Sequence, residues 1–269
     1  MSHERAVGQL YDRLLGSEVE HVAAANYAVH KRLRFPVGWG LADSNDWLAR
    51  HLDLPADARI LDAGCGVGGT LFALLAEGRT GVGLTLSERQ LALAQAEAAR
   101  RGFADRCQFQ LQSYDEPIDG QFDLIICLEA LVHSPEPAAT IAHLAHYLSP
   151  SGQLVLLEDS ALRDLSERRE AQILCQSWHI PRLATLAEIH SALKAAGLQL
   201  AEEQDFTPYV RARLWPGWLI RTLWRLLGRH QTSAAGIFTA GLAQEYLYRQ
   251  ELLCYRLLRA TAPAPAWEQ

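Results

Sequence analysis

A glycine-rich loop with a carboxylate just before it is the part of this sequence that points most clearly to chemistry. The loop has glycines at positions 64, 66 and 69, and Asp62 stands two residues before the first of them. Glycines let a backbone turn tightly and approach a bound nucleoside, and the helix that follows presents unpaired N–H groups at its start. A carboxylate beside such a loop suits a ligand that carries an ammonium group. We therefore expect Asp62, Gly64, Cys65 and Gly66 to contact a nucleoside with a cationic tail.

The glycine spacing alone also fits the dinucleotide-binding fingerprint. That fingerprint expects an acidic residue about 20 positions further on, which binds the ribose hydroxyls. The second predicted strand ends at Thr85-Leu86-Ser87 and has no carboxylate at its tip. The loop with Asp62 resembles motif I of the class I S-adenosylmethionine-dependent methyltransferases, although most of these enzymes also carry an acid after the second strand.

The segment after the second strand resembles one subgroup of that family. Residues 83–90 read Gly-Leu-Thr-Leu-Ser-Glu-Arg-Gln, similar to the Gly-(Ile/Val/Leu)-Thr-(Leu/Ile)-Ser-x-x-Gln segment of tocopherol, cyclopropane-fatty-acid, sterol-like and natural-product methyltransferases. There a Thr hydroxyl and a Gln amide replace the missing carboxylate, which implies cofactor contacts for Thr85, Leu86 and Gln90. The same residues also fit an ordinary helix start, with Ser87 as N-cap and Gln90 closing a capping box. Both interpretations can hold at once.

Further candidate positions follow the third and fourth predicted strands. Gln112 stands where the family usually has an Asp that contacts adenine, and a shift of one residue would give this role to Ser113 instead. An ordinary polar loop is an equal alternative for both residues. Leu128 ends the fourth strand, so we expect it at the same cofactor-binding edge of the sheet.

Glu129 and His133 are the candidate catalytic pair. They match a (Leu/Met)-Glu-x-x-x-His segment of the same subgroup. A histidine with an unperturbed pKa of about 6.5 can take the proton from an oxygen or nitrogen acceptor. If an alkene is methylated, the Glu129 carboxylate can stabilise the carbocation and remove a proton. The alternatives are a solvent-facing histidine before a helix and a plain loop acid.

Residues 35–40, Phe-Pro-Val-Gly-Trp-Gly, resemble an aromatic segment that lies over the methionine moiety in the subgroup. Tyr27 and Trp39 are therefore expected as aromatic walls near the sulfonium, which a ring face attracts by cation–π contact. Alternatively, Trp39 only packs against the helix that follows the glycine loop.

The apolar pattern predicts how these positions come together. From residue 59 onwards strands alternate with helices, which indicates an α/β protein with a parallel sheet. The predicted strands are 59–63, 80–85, 107–111, 122–128, 153–158, 198–205 and 253–261, and the predicted helices are 68–77, 88–101, 137–148, 164–176, 185–196 and about 237–250. The resemblance implies a Rossmann-like, seven-stranded methyltransferase sheet of order 3-2-1-4-5-7-6.

Four segments are predicted along the chain. They are an N-terminal helical lid (1–50), a core that binds S-adenosyl-L-methionine (51–205), a helical cap over the acceptor site (206–252), and the last strand with a disordered tail (253–269). Within the cap, residues 206–230 are rich in tryptophan and arginine and fit an amphipathic helix. Its arginines are solvated, or they meet an anionic lipid surface or an acceptor diphosphate.

Composition argues against several classes of protein. The net charge of −6 disfavours nucleic-acid binding. No apolar run approaches the roughly 20 residues of a membrane span, and residues 1–5 do not resemble a signal peptide, so we expect a cytoplasmic protein. We expect it to be a monomer or a homodimer. The five cysteines lack Cys-x-x-Cys spacing, and His143 and His146 have no third ligand nearby, so we expect no metal site.

Together these features predict a methyltransferase that uses S-adenosyl-L-methionine and methylates carbon or oxygen of a small, largely apolar acceptor, such as an isoprenoid, quinol, polyketide or other secondary metabolite. One alternative is an NAD-dependent oxidoreductase, which would need an acid at position 85 and a Tyr-x-x-x-Lys relay, whereas the chain has two lysines in all. Another is a domain that binds the cofactor without catalysis. A cyclopropane-forming relative is a third alternative, but its lipid-headgroup and bicarbonate ligands cannot be placed on this sequence.

Overall fold

A seven-stranded sheet organises the protein. The computed structural model describes residues 2–14, 34–35, 38–39, 41–75, 78–209, 218–219, 222 and 233–263. The strands are β1 Arg59–Ala63, β2 Thr80–Thr85, β3 Cys107–Leu111, β4 Phe122–Leu128, β5 Leu148–Ala161, β6 Gln199–Asp205 and β7 Leu253–Thr261. Their order is 3-2-1-4-5-7-6, which confirms the prediction. Strands β1 to β5 pair in parallel, and β7 runs antiparallel between β5 and β6.

Helices cover both faces of the sheet and its carboxyl edge. They are α1 His3–Leu14, α2 Leu41–His51, α3 Gly69–Leu74, α4 Glu88–Arg101, α5 Pro137–His146, α6 Arg169–Trp178, α7 Leu186–Ala195 and α8 Ser233–Arg249. Two 3-10 turns, Leu131–His133 and Thr207–Tyr209, follow β4 and β6. A two-residue ladder joins Arg34–Phe35 to Gly38–Trp39. No helix in the described part of the chain is long and apolar enough to cross a membrane.

The centre of the sheet is buried on both faces, which agrees with the near-continuous apolar runs in its central strands. In β4, Leu124 and Ile126 belong to one core cluster, whereas Ile125 and Cys127 belong to the other. All four side chains are fully buried. The carboxyl ends of the central strands therefore emerge from a rigid core and hold the residues beyond them in place.

Most predicted element bounds are confirmed to within two residues. Larger differences occur in α3, which ends at Leu74 and not at 77, in α8, which begins at Ser233 and not near 237, and in β5 and α6. Strand β5 runs from Leu148 to Ala161 and is longer at both ends than the predicted 153–158, with an irregularity at Ser151, which has φ 62°. Helix α6 begins at Arg169, not at 164, because the Asp164 carboxylate accepts hydrogen bonds from the backbone and hydroxyl of Ser166 and forms a turn. Most of the expected amphipathic helix at 206–230 lies outside the described residues.

Candidate active site

Asp62 lies within β1, one residue before the carboxyl end of the strand, and its side chain is only 2% exposed. Among the described residues, none forms a hydrogen bond with its Oδ2 atom. Burial raises the pKa of this carboxyl to about 7. A buried carboxylate oxygen without a partner is unfavourable. Asp62 is therefore suited to a ligand that brings a cation or an N–H group.

The glycine loop is held between β2 and the segment after β4. The N–H groups of Gly64 and Cys65 both donate to the Leu84 carbonyl, at 3.1 and 2.8 Å. Gly64 has φ 101°, and a Cβ atom at this position would lie 2.4 Å from the Cβ of Ala130. Only glycine permits both this backbone conformation and this close contact. Cys65 is buried, and burial raises the pKa of its thiol well above the usual value, so it is a structural residue of the loop.

Thr85 and Gln90 form a buried pair at the tip of β2. The Thr85 hydroxyl donates to Gln90 Oε1 at 2.8 Å and accepts the N–H of Ser87 at 3.2 Å. The Ser87 hydroxyl accepts the Gln90 N–H at 3.1 Å, so the predicted N-cap is confirmed. The reciprocal half of the capping box is wrong, because the Gln90 side chain turns towards Thr85 and not towards the backbone of Ser87. Leu86, between them, is half-buried.

Helix α1 lies across this tip. Gly8 packs on the loop so closely that a Cβ atom there would be 2.2 Å from the Leu86 carbonyl oxygen. The Asp12 carboxylate accepts hydrogen bonds from the Ser87 hydroxyl at 2.5 Å and from the Arg89 N–H at 3.3 Å. The N-terminal helix is thus fixed to the loop after β2.

The same helix also reaches the segment after β4. The Tyr11 hydroxyl and His133 Nε2 are hydrogen-bonded at 2.9 Å, and the His3 imidazole donates to the His133 carbonyl at 2.8 Å. Helix α1 therefore spans the crevice between the loops that follow β2 and β4. Sequence reasoning missed this role, because Tyr11 fits the apolar stripe of an ordinary amphipathic helix.

Gln112 and Ser113 stabilise their own loop. The Gln112 side-chain amide donates to the Pro117 carbonyl at 2.8 Å, and the Ser113 hydroxyl accepts the Asp115 N–H at 3.2 Å. These contacts fit the polar-loop alternative, and the adenine contact of either residue stays a prediction. Leu128 is 4% exposed and packs in the core at the end of β4.

Glu129 directly follows β4 and has an unusual backbone conformation for a residue that is not glycine, with φ 51°. Its N–H donates to the Leu157 carbonyl at 2.8 Å. Its carboxylate Oε1 accepts a hydrogen bond from the Tyr255 hydroxyl at 2.7 Å. Both ends of Glu129 are therefore fixed by neighbouring strands.

His133 is buried, so the solvent-facing alternative for this residue is wrong. Helix α1, more than 100 residues away in the sequence, covers it. Burial lowers the pKa of its imidazole to about 4, whereas the nearby His179 backbone and the Glu129 carboxylate partly oppose the shift. His133 is consequently neutral at physiological pH.

Two carboxylates at the end of β5 complete this region. Glu158 Oε1 accepts the N–H groups of Ala130 and Leu131 at 2.8 and 2.7 Å, which fixes the turn that carries His133. Burial raises the pKa of Glu158 well above its usual range. Asp159 accepts hydrogen bonds from the Tyr248 hydroxyl and from the Gln244 amide of α8. Sequence reasoning missed both roles, since the partners of these acids are distant in the chain.

Two of the predicted site residues cannot be placed. Tyr27 lies outside the described residues, and Trp39 is described only through its backbone pairing with Arg34. Within the described residues, no group of three histidine, cysteine or acidic side chains could hold a metal ion. His143 is instead hydrogen-bonded to the Glu116 carbonyl at 2.9 Å.

Comparison with known proteins places this geometry in context. Residues 37–203 match a family model described as a methyltransferase domain. The chain is similar to the chloroplastic tocopherol O-methyltransferase of Arabidopsis thaliana, with 27% identity over 223 residues, which cover 76% of this chain and 63% of that protein. The chain thus spans less than two thirds of that relative's length.

Solved structures share the whole fold. The crystal structure of the 4+2 cyclase SpnF superposes with a TM-score of 0.73 at 24% identity and covers 97% of both chains. Geranyl diphosphate C-methyltransferase from Streptomyces coelicolor A3(2), crystallised with geranyl diphosphate and S-adenosyl-L-homocysteine, gives a TM-score of 0.71 at 14% identity, over 97% of this chain and 98% of that one. At these identities the likeness establishes the fold and leaves the reaction open.

Proposed function

Because the chain belongs to the methyltransferase domain family, we propose that it transfers a methyl group from S-adenosyl-L-methionine to carbon or oxygen of a small, largely apolar acceptor. The observation that supports the proposal most is a buried carboxylate oxygen of Asp62, beside the glycine loop, for which the described residues offer no hydrogen-bond partner. The ammonium group of the cofactor is a suitable partner for it. A pyrophosphate at the same place would be repelled, which disfavours the NAD-dependent alternative.

The residues at the carboxyl edge fit this cofactor. Asp62 would hold its ammonium group, and the loop of Gly64, Cys65 and Gly66 would let its chain approach the backbone. The polar pair of Thr85 and Gln90, with Leu86 between them, lies where the ribose hydroxyls would bind. Gln112 or Ser113, with Leu128, would border the adenine. When bound, the cofactor supplies an activated methyl group on a positively charged sulfur.

The acceptor side is proposed to lie over β4 and β5. There Glu129 or His133 would receive a proton from the acceptor, and the Glu129 carboxylate would stabilise positive charge that develops on an alkene. An apolar acceptor is supported by the relatives, since one is named for tocopherol and another was crystallised with geranyl diphosphate.

We further propose that residues 1–50 form a lid and that the cap of 206–252 borders the acceptor. The contacts of α1 with the loops after β2 and β4 support the first part, because a helix fixed to both loops would exclude water from the crevice between them. Tyr27 and Trp39 would then line the pocket around the sulfonium group of the cofactor. For residues 206–230, contact with a membrane surface is a further proposal, which the exposed Trp218 supports.

Transfer of an isotope-labelled methyl group tests the proposal. The protein is incubated with methyl-labelled S-adenosyl-L-methionine and either a prenylated hydroquinone or geranyl diphosphate, and the extracted product is examined by mass spectrometry. We expect label in at least one product, and we expect S-adenosyl-L-homocysteine, but not NAD, to raise the melting temperature. No thermal shift with millimolar ligand would contradict the proposal.

Two variants distinguish an enzyme from a domain that only binds the cofactor. Glu129→Ala and His133→Ala are expected to keep cofactor binding measurable and to reduce label transfer. If the wild-type protein binds the cofactor but methylates no acceptor in a broader panel, the non-catalytic alternative is favoured.

A further inference from the structure

The hydrogen bond between Tyr255 and Glu129 joins the last strand to the candidate catalytic loop. The Tyr255 hydroxyl donates to Glu129 Oε1 at 2.7 Å, although the two residues are 126 positions apart in the sequence. Strand β7, which lies between β5 and β6, therefore delivers a polar group to the candidate proton acceptor.

Tyr255 is held too firmly to move away from this contact. Its side chain is fully buried, and it pairs with Asp159 across β5 and β7. Its N–H donates to the Thr207 hydroxyl, and its carbonyl accepts the Phe206 N–H, each at 2.9 Å. The hydroxyl is consequently preorganised at a fixed point of the site.

The backbone of Glu129 is fixed as well. Its left-handed backbone conformation is unfavourable for a residue other than glycine, and such conformations persist only where the surroundings impose them. The Leu157 carbonyl binds the Glu129 N–H, and Glu158 binds the next two N–H groups. The loop backbone and Tyr255 both constrain where the carboxylate points.

The Tyr255 hydroxyl is suited to act as a permanent hydrogen-bond donor. Burial, followed by the charge of Glu129, raises the pKa of its hydroxyl well above the usual value. The phenol therefore keeps its proton, and donation to a carboxylate favours the charged form of that carboxylate. The candidate His133 differs, because its Nε2 is already hydrogen-bonded to Tyr11 of α1.

We propose that Tyr255 is a positioning residue that holds Glu129 as the proton acceptor of the reaction, whereas His133 anchors α1 over the crevice. This inference rests on the proposed methyl transfer. In the proton step, the O–H or C–H bond of the methylated acceptor breaks and its electron pair stays on the acceptor. The proton moves to the Glu129 carboxylate, and the resulting carboxylic acid later releases it to water.

A double-mutant cycle tests the inference with the same two probes, a prenylated hydroquinone and geranyl diphosphate. Tyr255→Phe keeps the buried ring and removes only the hydroxyl. We expect it to lower kcat by about 10- to 100-fold and Glu129→Gln by about 100-fold or more, since general-base catalysis contributes effects of this size. The double variant should be no slower than Glu129→Gln alone, because both changes disable one unit.

Tyr147→Phe is the matched control. It also removes one tyrosine hydroxyl, but that hydroxyl accepts the Ile118 N–H at 3.1 Å near the opposite end of the sheet, away from Glu129. We expect its kcat to stay within about twofold of the wild type, since no proposed proton acceptor loses a partner. Unchanged kcat in Tyr255→Phe, or full additivity with Glu129→Gln, would overturn the inference.

A measurement without any acceptor separates this inference from the proposed function. Crystal structures of the wild type and of Tyr255→Phe, both with S-adenosyl-L-homocysteine, should show the Glu129 carboxylate leaving its position in the variant. An unmoved carboxylate would show that Tyr255 does not position it. If neither probe is methylated by the wild type, that failure concerns the proposed function, and the crystal structures still decide the role of Tyr255.

Discussion

The two halves of the carboxyl edge are built in different ways. Over β1 and β2, the hydrogen bond between the predicted site residues is local, because Thr85 donates to Gln90, five positions further along the chain. Over β4, β5 and β7, the partners come from distant parts of the chain, and Tyr11 and His133 are 122 positions apart. The proposed cofactor half is therefore a local motif, whereas the proposed acceptor half exists only once the chain is folded. A common cofactor can be read from such a sequence, but the groups that surround an acceptor cannot.

The largest expected effect is on the cofactor half. Asp62→Asn should weaken binding of S-adenosyl-L-homocysteine by about 2–4 kcal/mol, or roughly 30- to 1000-fold, because the ligand ammonium loses a buried charged partner. Above pH 7 the same variant should unfold at a higher temperature without ligand, since it no longer buries a charged carboxylate. Calorimetry and thermal unfolding measure the two effects.

Asp123→Asn is the control for this prediction. Asp123 is an aspartate of β4 near the opposite end of the sheet, where it accepts hydrogen bonds from the Arg59 N–H and the Ser149 hydroxyl. Its replacement should leave the ligand affinity unchanged. If Asp62→Asn bound the ligand with unchanged affinity, the cofactor would not bind in this half of the carboxyl edge as proposed.

In the acceptor half, the free energy of unfolding should depend on Glu158. The oxygen that accepts two backbone hydrogen bonds should matter more than the charge of the carboxylate. Glu158→Ala leaves two backbone N–H groups without their acceptor and should lower the free energy of unfolding by about 2–4 kcal/mol. Glu158→Gln should lose less than about 1 kcal/mol, because an amide oxygen can accept the same two bonds and burial already disfavours the charged form. Urea unfolding separates the variants, and equal losses would contradict this description.

The affinity for S-adenosyl-L-homocysteine should depend on pH through Asp62. Its pKa of about 7 in the free protein means that below this pH the carboxyl holds a proton, which an incoming ammonium group must displace. The affinity should therefore fall as the pH is lowered from 7 to 5, by up to about tenfold per pH unit. Asp62→Asn should remove the dependence, and calorimetry in buffers of different ionisation enthalpy should detect proton release only in the wild type.

Without ligand, Asp62 and His133 should change the free energy of unfolding with pH in opposite directions. The pKa of Asp62 is raised, so the native state holds more protons than the unfolded chain between about pH 4 and 7, and the contribution of Asp62 to stability decreases as the pH rises. The pKa of His133 is lowered to about 4, so the contribution of His133 decreases as the pH falls from about 6.5 to 4. Comparing Asp62→Asn and His133→Gln with the wild type across this range separates the two contributions.

The smallest expected effect concerns helix α1, which contacts both halves of the carboxyl edge. Gly8→Ala would place a Cβ atom against the Leu86 carbonyl and should lift α1, weakening ligand binding by about 1–2 kcal/mol. Gly241→Ala in α8 is the control, since its Cβ atom would meet no atom within 4 Å and helix propensity should stabilise it by about 0.5–1 kcal/mol. Hydrogen exchange of residues 3–14 would report the lifting, and equal exchange in both variants would exclude it.

Local signals explain what could be predicted from the sequence. The bounds of α4 were predictable because Ser87 caps its first turn and Gly102, at φ 73°, ends it. The fold order followed from the family resemblance, and the alternation of strands and helices indicated the sheet itself. By contrast, the turn around Asp164 delays the start of α6, and no apolar pattern reveals such a side-chain contact.

The candidate site was predictable to the same extent. Asp62, Thr85 and Gln90 lie where the motif implies, at the tips of neighbouring strands. Tyr255 could not be selected, because a tyrosine in an apolar strand is indistinguishable from an ordinary core residue. The burial of His133 was equally hidden, since it depends on helix α1, which is more than 100 residues away in the sequence.

A crystal structure with S-adenosyl-L-homocysteine would test the central claim most directly. We expect the ligand amino group within about 3 Å of Asp62 Oδ2, as a charge-assisted hydrogen bond requires. The ribose should lie against Thr85 and Gln90, with the sulfur directed towards the side of Glu129. An amino group that points away from Asp62, or a ligand bound elsewhere on the protein, would contradict the claim.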